Sequence, residues 1–288
     1  MPHSDIAAPQ AEPAPDEARR PKVMLAGDWH GNHTWARVSC EAAARSGCFA
    51  LVQLGDFGLW PGREDTWLDH VDGCAREAGL EVVWIDGNHE NHDALDDWRS
   101  HADERGLVRM RDHVTWATRG SRWEWEGVRF GALGGAVSLD RFMRREGKSW
   151  WPQESISSAD LERLGNASLD VLVTHTPPTP AEPPTQRFPF PEAVLADDRL
   201  ARSKVDEAVR WTEPTLVVHG HLHVRYTSLR EGWRVEGLAH DKSTVAESLA
   251  VLELSPELKV SPPLAEPEAR LGDSVPASSY TVAQDVEE

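Results

Sequence analysis

The chain has 288 residues, of which 40% are hydrophobic and 27% charged, the balance of an ordinary soluble globular protein. Its formal net charge of −18 argues against a general nucleic-acid binder, which needs a basic surface to neutralise phosphates. A phosphate-ester substrate stays open, because bound cations reverse the sign of a local site. Cys40, Cys48 and Cys74 make neither a paired framework nor a close CxxC, so the fold is expected to do without disulfides in a reducing compartment.

Residues 1–21 are Pro/Ala-rich and acidic, without the apolar core of a signal peptide, and read as a disordered tail. No run approaches the roughly 18 apolar residues needed to span a bilayer, so no membrane is expected and the location is cytoplasmic. From Lys22 onward short apolar runs recur: "KVMLAG", "FALVQLG", "EVVWIDG", "LDVLVTH" and "PTLVVHG". Each is too short for a helix, rich in Val, Leu or Ile, and stopped by Gly or His, the pattern of strands buried on both faces. Between the first three lie amphipathic stretches, "TWARVSCEAAARSG" and "REDTWLDHVDGCAREAG", that close on Gly47 and Gly79 as helices do. That alternation predicts a parallel sheet of βαβ units.

The middle, "HVTWATRGSRWEWEGVRFGALGG", has turn signals at Arg119-Gly120 and Glu126-Gly127 and predicts antiparallel strands. An Arg- and Trp-rich segment without clear period follows, then a Pro-rich loop after His175 and a helix from about Ala193 to Trp211. Strands recur at "WRVEGL" and "SLAVLEL", and residues 256–288 read as a disordered acidic tail. One domain, 22–255, is expected between the tails, an α/β fold with a sandwich-like sheet arrangement.

Five of these strands deliver a polar ligand type as they end: Asp28-Trp29-His30, Gly55-Asp56, Gly87-Asn88-His89, His175, and Gly220-His221-Leu222-His223. In α/β sheets such ends meet at a ligand crevice. Oxygen and imidazole donors without cysteine suit hard or borderline divalent metals, and seven are more than one tetrahedral ion needs. Singly each has a plain reading. Asp28 fits an N-cap for the helix near His33, Gly87-Asn88 fits a turn, and His175 fits a hydrogen-bonded core histidine. Together, each at a strand end, they read as one site. His219 reads as a core or supporting histidine.

The ordered set resembles the calcineurin-like metallophosphoesterases over Lys22 to about Leu254, and the flanking "DGNHENHDAL" and "GGAVSLDR" with "GKSWW" resemble small bacterial and phage members of that family. The resemblance implies a four-layer α/β/β/α sandwich and two divalent ions, Mn, Fe, Zn or Ni, with Mn expected in vitro. Asp28, His30 and His223 would hold one ion and Asn88, His175 and His221 the other, with Asp56 bridging. His89 would be the general acid. The implied activity is hydrolysis of phosphate mono- or diesters by hydroxide held between the ions. The alternative is a non-catalytic scaffold of the same fold acting through protein partners, a kind that typically loses ligands or the catalytic histidine; here all are intact.

The sequence departs from the phosphoprotein phosphatase branch at Leu59 and Trp60, where that branch carries a histidine-orienting Asp and a phosphate-binding Arg. Glu90 or Asp93 is the candidate replacement for the first. Arg141, Arg144 and Arg145 beside Trp150, with Asn32, are candidate substrate contacts; arginines next to aromatic faces suit a nucleotide among the possible esters, whereas long nucleic acid is disfavoured. Oligomeric state is left open.

Overall fold

The computed structural model of the chain describes residues 20–179, 190–255 and 257–264. The expected N-terminal tail up to residue 19 and the C-terminal tail beyond 264 lie outside the described residues, as does the Pro-rich stretch 180–189. Strands β1 (Lys22–Ala26), β2 (Ala50–Gln53) and β3 (Glu81–Trp84) alternate with helices α1 (His33–Arg45) and α2 (Glu64–Ala78). The two β-to-β pairings are parallel, as the βαβ rhythm predicts. Asn32 caps α1 by accepting from the Trp35 amide, so Asp28 is not spent on capping. Gly79 ends α2 in the left-handed conformation, φ 68°.

The chain continues through α3 (His92–Arg99), β4 (Leu107–Arg109), β5 (Val114–Ala117), β6 (Arg122–Trp125), β7 (Val128–Leu133), α4 (Ser158–Leu164) and β8 (Val171–Thr174). It closes with α5 (Glu192–Thr212), β9 (Leu216–His219), β10 (Tyr226–Arg230), β11 (Trp233–Gly237), α6 (Val245–Ser248), β12 (Leu249–Glu253) and β13 (Lys259–Ser261). A seven-stranded sheet has the order β13-β12-β1-β2-β3-β5-β4, and a six-stranded sheet β10-β11-β9-β8-β7-β6.

Alternating side chains divide the core. Met24, Ala26, Leu51, Val82 and Trp84 pack with Cys40, Ala43, Trp67, Leu68 and Val71 of α1 and α2. Their neighbours Val23, Leu25, Val52 and Val83 pack instead with Phe130, Val171, Val173, Leu216 and Val218 of the other sheet. The far face of that second sheet, Leu172, Val217 and Val235, is covered by Leu161, Leu164, Val205 and Ala208 of α4 and α5. This is the α/β/β/α sandwich. Each fully buried Val or Leu contributes roughly 1.5–3 kcal/mol, which is why the central strands read as unbroken apolar runs. The three cysteines are free and buried, and burial pushes the Cys40 and Cys48 thiols up to about 12.

Several elements differ from expectation. Within the middle stretch β6 and β7 form an antiparallel hairpin around Glu126-Gly127 with φ 52° and 79°, whereas β5 lies in the first sheet, antiparallel to β4 and parallel to β3. Helix α3, capped by Asn91, had no predicted counterpart, and neither did α4, α6, β4 or β10. Strand β13 extends the first sheet antiparallel to β12, within the stretch expected to be a disordered tail. Among the described residues no helix is long and apolar enough to cross a membrane.

Candidate metal centre

The seven expected ligands lie just beyond the carboxyl ends of β1, β2, β3, β8 and β9, so both sheets supply donors. The turn after each strand must reverse sharply to aim a side chain back at the crevice. Four of the seven do so in left-handed backbone: His30 (φ 46°), Asp56 (φ 50°), His221 (φ 65°) and His223 (φ 56°). Among the described residues only Glu126 and Glu213 share that conformation without being glycine. Such strain concentrates where a site over-determines the backbone.

The neighbouring glycines exist for close approach. A Cβ at Gly220 would sit 2.1 Å from Asp28 Oδ1, and one at Gly87 2.2 Å from Asp56 Oδ1. The GN and GH pairs are therefore steric requirements of the carboxylates, and the GD pair is one of His175, whose Nδ1 a Cβ at Gly55 would meet at 2.3 Å.

One ligand set is tightly gathered. Donor atoms of Asp28, His30, Asp56 and His223 all lie within 4.8 Å of one another. His223 Nε2 is 3.0 Å from Asp28 Oδ2, and His30 Nε2 is 3.5 Å from Asp56 Oδ2. His30 Nδ1 donates to Asp241 Oδ1 at 2.9 Å, which leaves Nε2 as the nitrogen turned into the site. The other set is built likewise. His175 Nδ1 donates to the Leu54 carbonyl at 2.7 Å, and its Nε2 lies 3.4 Å from Asp56 Oδ1 and 3.3 Å from Asn88 Oδ1. The His175 and His221 rings are 5.0 Å apart. Asp56 thus presents one oxygen to each set, and its Oδ1 also accepts from the Asn88 and His89 amides. Burial alone would raise the Asp56 carboxyl, but the charges of His89 and His175 hold it well below the usual carboxylate range.

These residues fit divalent cations. Asp28 Oδ2 is fully buried with no N–H aligned on it, and the His223 ring nitrogen lies 3.0 Å away, so an ion placed between the two would satisfy both. His219, in contrast, is satisfied at both nitrogens, by the Gly220 carbonyl at 2.8 Å and the Tyr226 hydroxyl at 2.6 Å. It is a supporting core histidine, as its place in the strand predicts.

A cleft of about 590 Å³ opens over the centre, lined by His30, His89, His223 and His240, by Trp60, Pro61 and Trp151, and by Arg144, Lys148 and Lys242. Of the substrate contacts expected from the sequence, Arg144 alone lines it. Arg141 is turned to Asp197 on α5, while Arg145 and Trp150 do not line the cleft, where Trp151 stands instead. Asn32 is engaged by the α1 cap and by Asp241 at 2.9 Å, so it braces the site rather than facing substrate. Neither Glu90 nor Asp93 orients His89. Glu90 accepts from the Gly58 and Gly87 amides, and Asp93 from Trp151 and Gln153. The partner of His89 is Arg144, 3.2 Å from its Nε2 and itself held by both oxygens of Asp140.

Sequence reasoning missed His240 and Asp241. His240 stacks on His223 at 4.2 Å, and Asp241 anchors His30. A signal was present: "WRVEGL" is a sixth strand followed directly by Ala239-His240-Asp241.

An α/β sandwich of two mixed sheets with paired Asp, Asn and His ligand types at its strand ends is the architecture of a metal-dependent phosphoesterase. A family model for the calcineurin-like phosphoesterases matches residues 21–225, and the chain belongs to that family. No curated protein matches the sequence. Among solved structures, a protein of Thermus thermophilus is 13% identical at a TM-score of 0.53, covering 85% of this chain and 99% of its own. A dimetal phosphatase from Danio rerio is 13% identical at 0.52, covering 83% and 95%. These likenesses speak for the fold.

Proposed function

We propose that the chain hydrolyses phosphate mono- or diesters at a centre for two divalent ions, manganese serving in vitro, with His89 delivering a proton to the departing oxygen. The observation that carries this is Asp56, whose two oxygens each face a separate nitrogen-bearing ligand set, with the buried Asp28 Oδ2 set 3.0 Å from the His223 ring nitrogen in the first of them. Asp28, His30 and His223 would hold one ion, and Asn88, His175 and His221 the other. When bound, such ions polarise a phosphoryl oxygen and make water a ready nucleophile.

The remaining work falls to the chain. His89 sits in the cleft wall with Nε2 3.8 Å from Asp56 Oδ2. Burial pulls its pKa down, Asp56 pulls it back up and Arg144 lowers it again. Arg144 donates, so in the free protein Nε2 is an acceptor. An anionic ester in the cleft competes for that guanidinium, and the Nε2 so released takes up a proton from water and passes it to the departing alkoxide. Arg144, Lys148 and Lys242 give an acidic protein a locally cationic mouth, which draws in a small phosphate ester. Trp60 offers an aromatic wall where one branch of the family has an arginine, which favours an ester with a ring, a nucleotide among them.

The test is hydrolysis of p-nitrophenyl phosphate and bis-p-nitrophenyl phosphate by metal-stripped protein with manganese restored. The ratio of rates separates monoesterase from diesterase. His89→Ala should lower turnover about 10²–10⁴-fold with metal content intact. Wild-type turnover in that variant would remove His89 from the reaction.

A further inference from the structure

We propose that Glu154 and Ser138 form a positioning relay that decides which end of the Asn88 amide faces the metal centre, an inference that rests on the two-ion reading above. An asparagine ligand has a weakness that aspartate lacks. Rotated by half a turn about its last bond, it presents a donor NH₂ in place of the oxygen, and an NH₂ cannot bind a cation. Something must hold the amide one way round.

Burial pushes the Glu154 carboxyl up to about 7, and once it is ionised the hydrogen bonds run in a single direction. The Ser138 backbone N–H, which can only donate, reaches Glu154 Oε1 at 2.7 Å. The carboxylate's other oxygen, Oε2, accepts from the Ser138 hydroxyl, also at 2.7 Å. With its proton so committed, Ser138 Oγ has only lone pairs left, and it accepts from Asn88 Nδ2 at 3.0 Å. Asn88 Oδ1 is thereby left on the side of His175 Nε2, 3.3 Å away. All three residues are buried, so no water competes for these positions.

The relay is also anchored. Arg119 donates to the carbonyls of Gln153, Glu154 and Ser155 and is tied by Nε to Asp86 Oδ2 at 2.7 Å. Asp86 lies two residues before Asn88, so the circuit Asp86–Arg119–Glu154–Ser138–Asn88 closes on itself. Gly134 and Gly135 let it close, since Cβ atoms there would meet the Asp86 carbonyl at 2.5 Å and the Glu154 carbonyl at 2.6 Å. Glu154 and Ser138 are positioning residues; neither touches substrate.

Two variants read the relay in different ways. Glu154→Gln keeps the shape but turns one oxygen into a donor. With its oxygen on the Ser138 amide, its NH₂ points at the hydroxyl, reverses the chain and turns the Asn88 NH₂ toward the metal centre. Ser138→Ala removes the hydroxyl while keeping the backbone link to Glu154. Stepwise titration of the metal-free protein with Mn²⁺, followed by calorimetry, measures both uptake steps. Each variant should weaken one step about 10–100-fold and leave the other at the wild-type value. Merely loosened packing would weaken both together, and that result, or two unchanged steps, overturns the relay. A wild-type protein that takes up one ion overturns the two-ion reading itself, and the relay with it.

Discussion

Adding one methyl group at Gly220 is the sharpest steric test of the centre. The Cβ of an alanine there would lie 2.1 Å from Asp28 Oδ1 and 3.1 Å from the Leu54 carbonyl oxygen, whereas real Cβ contacts essentially never fall below 3.0 Å. Asp28 is wholly buried and its Oδ1 already accepts from the His221 amide at 3.0 Å, so the carboxylate has little free space into which to withdraw. Forcing it back by roughly 1 Å misplaces a ligand by a distance that costs on the order of 10²-fold in rate. The overpacking itself costs about 1–3 kcal/mol, which a protein of this size tolerates. Gly73→Ala is the matched control. It lies within α2 with nothing within 4 Å of the added Cβ, so it should raise stability by about 0.5–1 kcal/mol. The assay is manganese-dependent hydrolysis of bis-p-nitrophenyl phosphate beside thermal unfolding of the metal-free chain. Gly220→Ala should stay folded, lose most of its activity and bind manganese more weakly. Wild-type activity and affinity in that variant would refute the steric reading of the glycine-ligand pairs.

Two further outcomes follow from the imidazoles. Asp241→Ala leaves the His30 Nδ1–H without its acceptor while Asn32 still caps α1, so manganese affinity should fall about 10–100-fold with the unfolding temperature little changed; unchanged affinity in a titration would remove Asp241 from the site. In the metal-free chain His30 is pushed up to about 11, burial being outweighed by its hydrogen bonds to Asp241 and Asp56, and His175 up to about 9, burial being outweighed by the charges of Asp56 and Asp28. Both are protonated at pH 7, and a ligand nitrogen must shed its proton, so metal uptake should release protons and tighten as pH rises toward 9. The same shifts stabilise the metal-free fold fully below 6.5 and cease to do so as pH climbs through about 9 and about 11. Calorimetry of manganese binding at pH 7 in buffers of different ionisation enthalpy measures the release, and heats independent of buffer would contradict it.

Much of the site was legible because strand and ligand signals fall on the same few residues. A buried parallel strand is a short apolar run, and the polar residue that interrupts it is by construction at the crevice. Asp28, Asp56, Asn88, His175 and His221 announce themselves that way. The braces were less visible. Asp241 follows a strand of ordinary polarity, with Arg234 and Glu236 in it, so its end drew no attention. Glu154 and Ser138 are separated by 16 residues of irregular chain in which no period links them. The arginines Arg141, Arg144 and Arg145 are indistinguishable by composition; only tertiary pairing with Asp197 or with Asp140 and His89 tells them apart. Helix α3 carries a legible cap in Asn91, but the ligand run just before it masked the change of period.

Because Asp28, His30, Asp56 and Asn88 come from one sheet and His175, His221 and His223 from the other, neither half of the chain owns a working centre. The first donor and the last are almost 200 positions apart along the backbone. An ion held between them would rivet two layers that otherwise meet through the apolar seam and a few polar links such as His175 to the Leu54 carbonyl, so metal should protect the sheet-to-sheet seam more than either sheet alone. Ligand assembly should then come late in folding, and metal-dependent activity regained on refolding should lag the return of secondary structure.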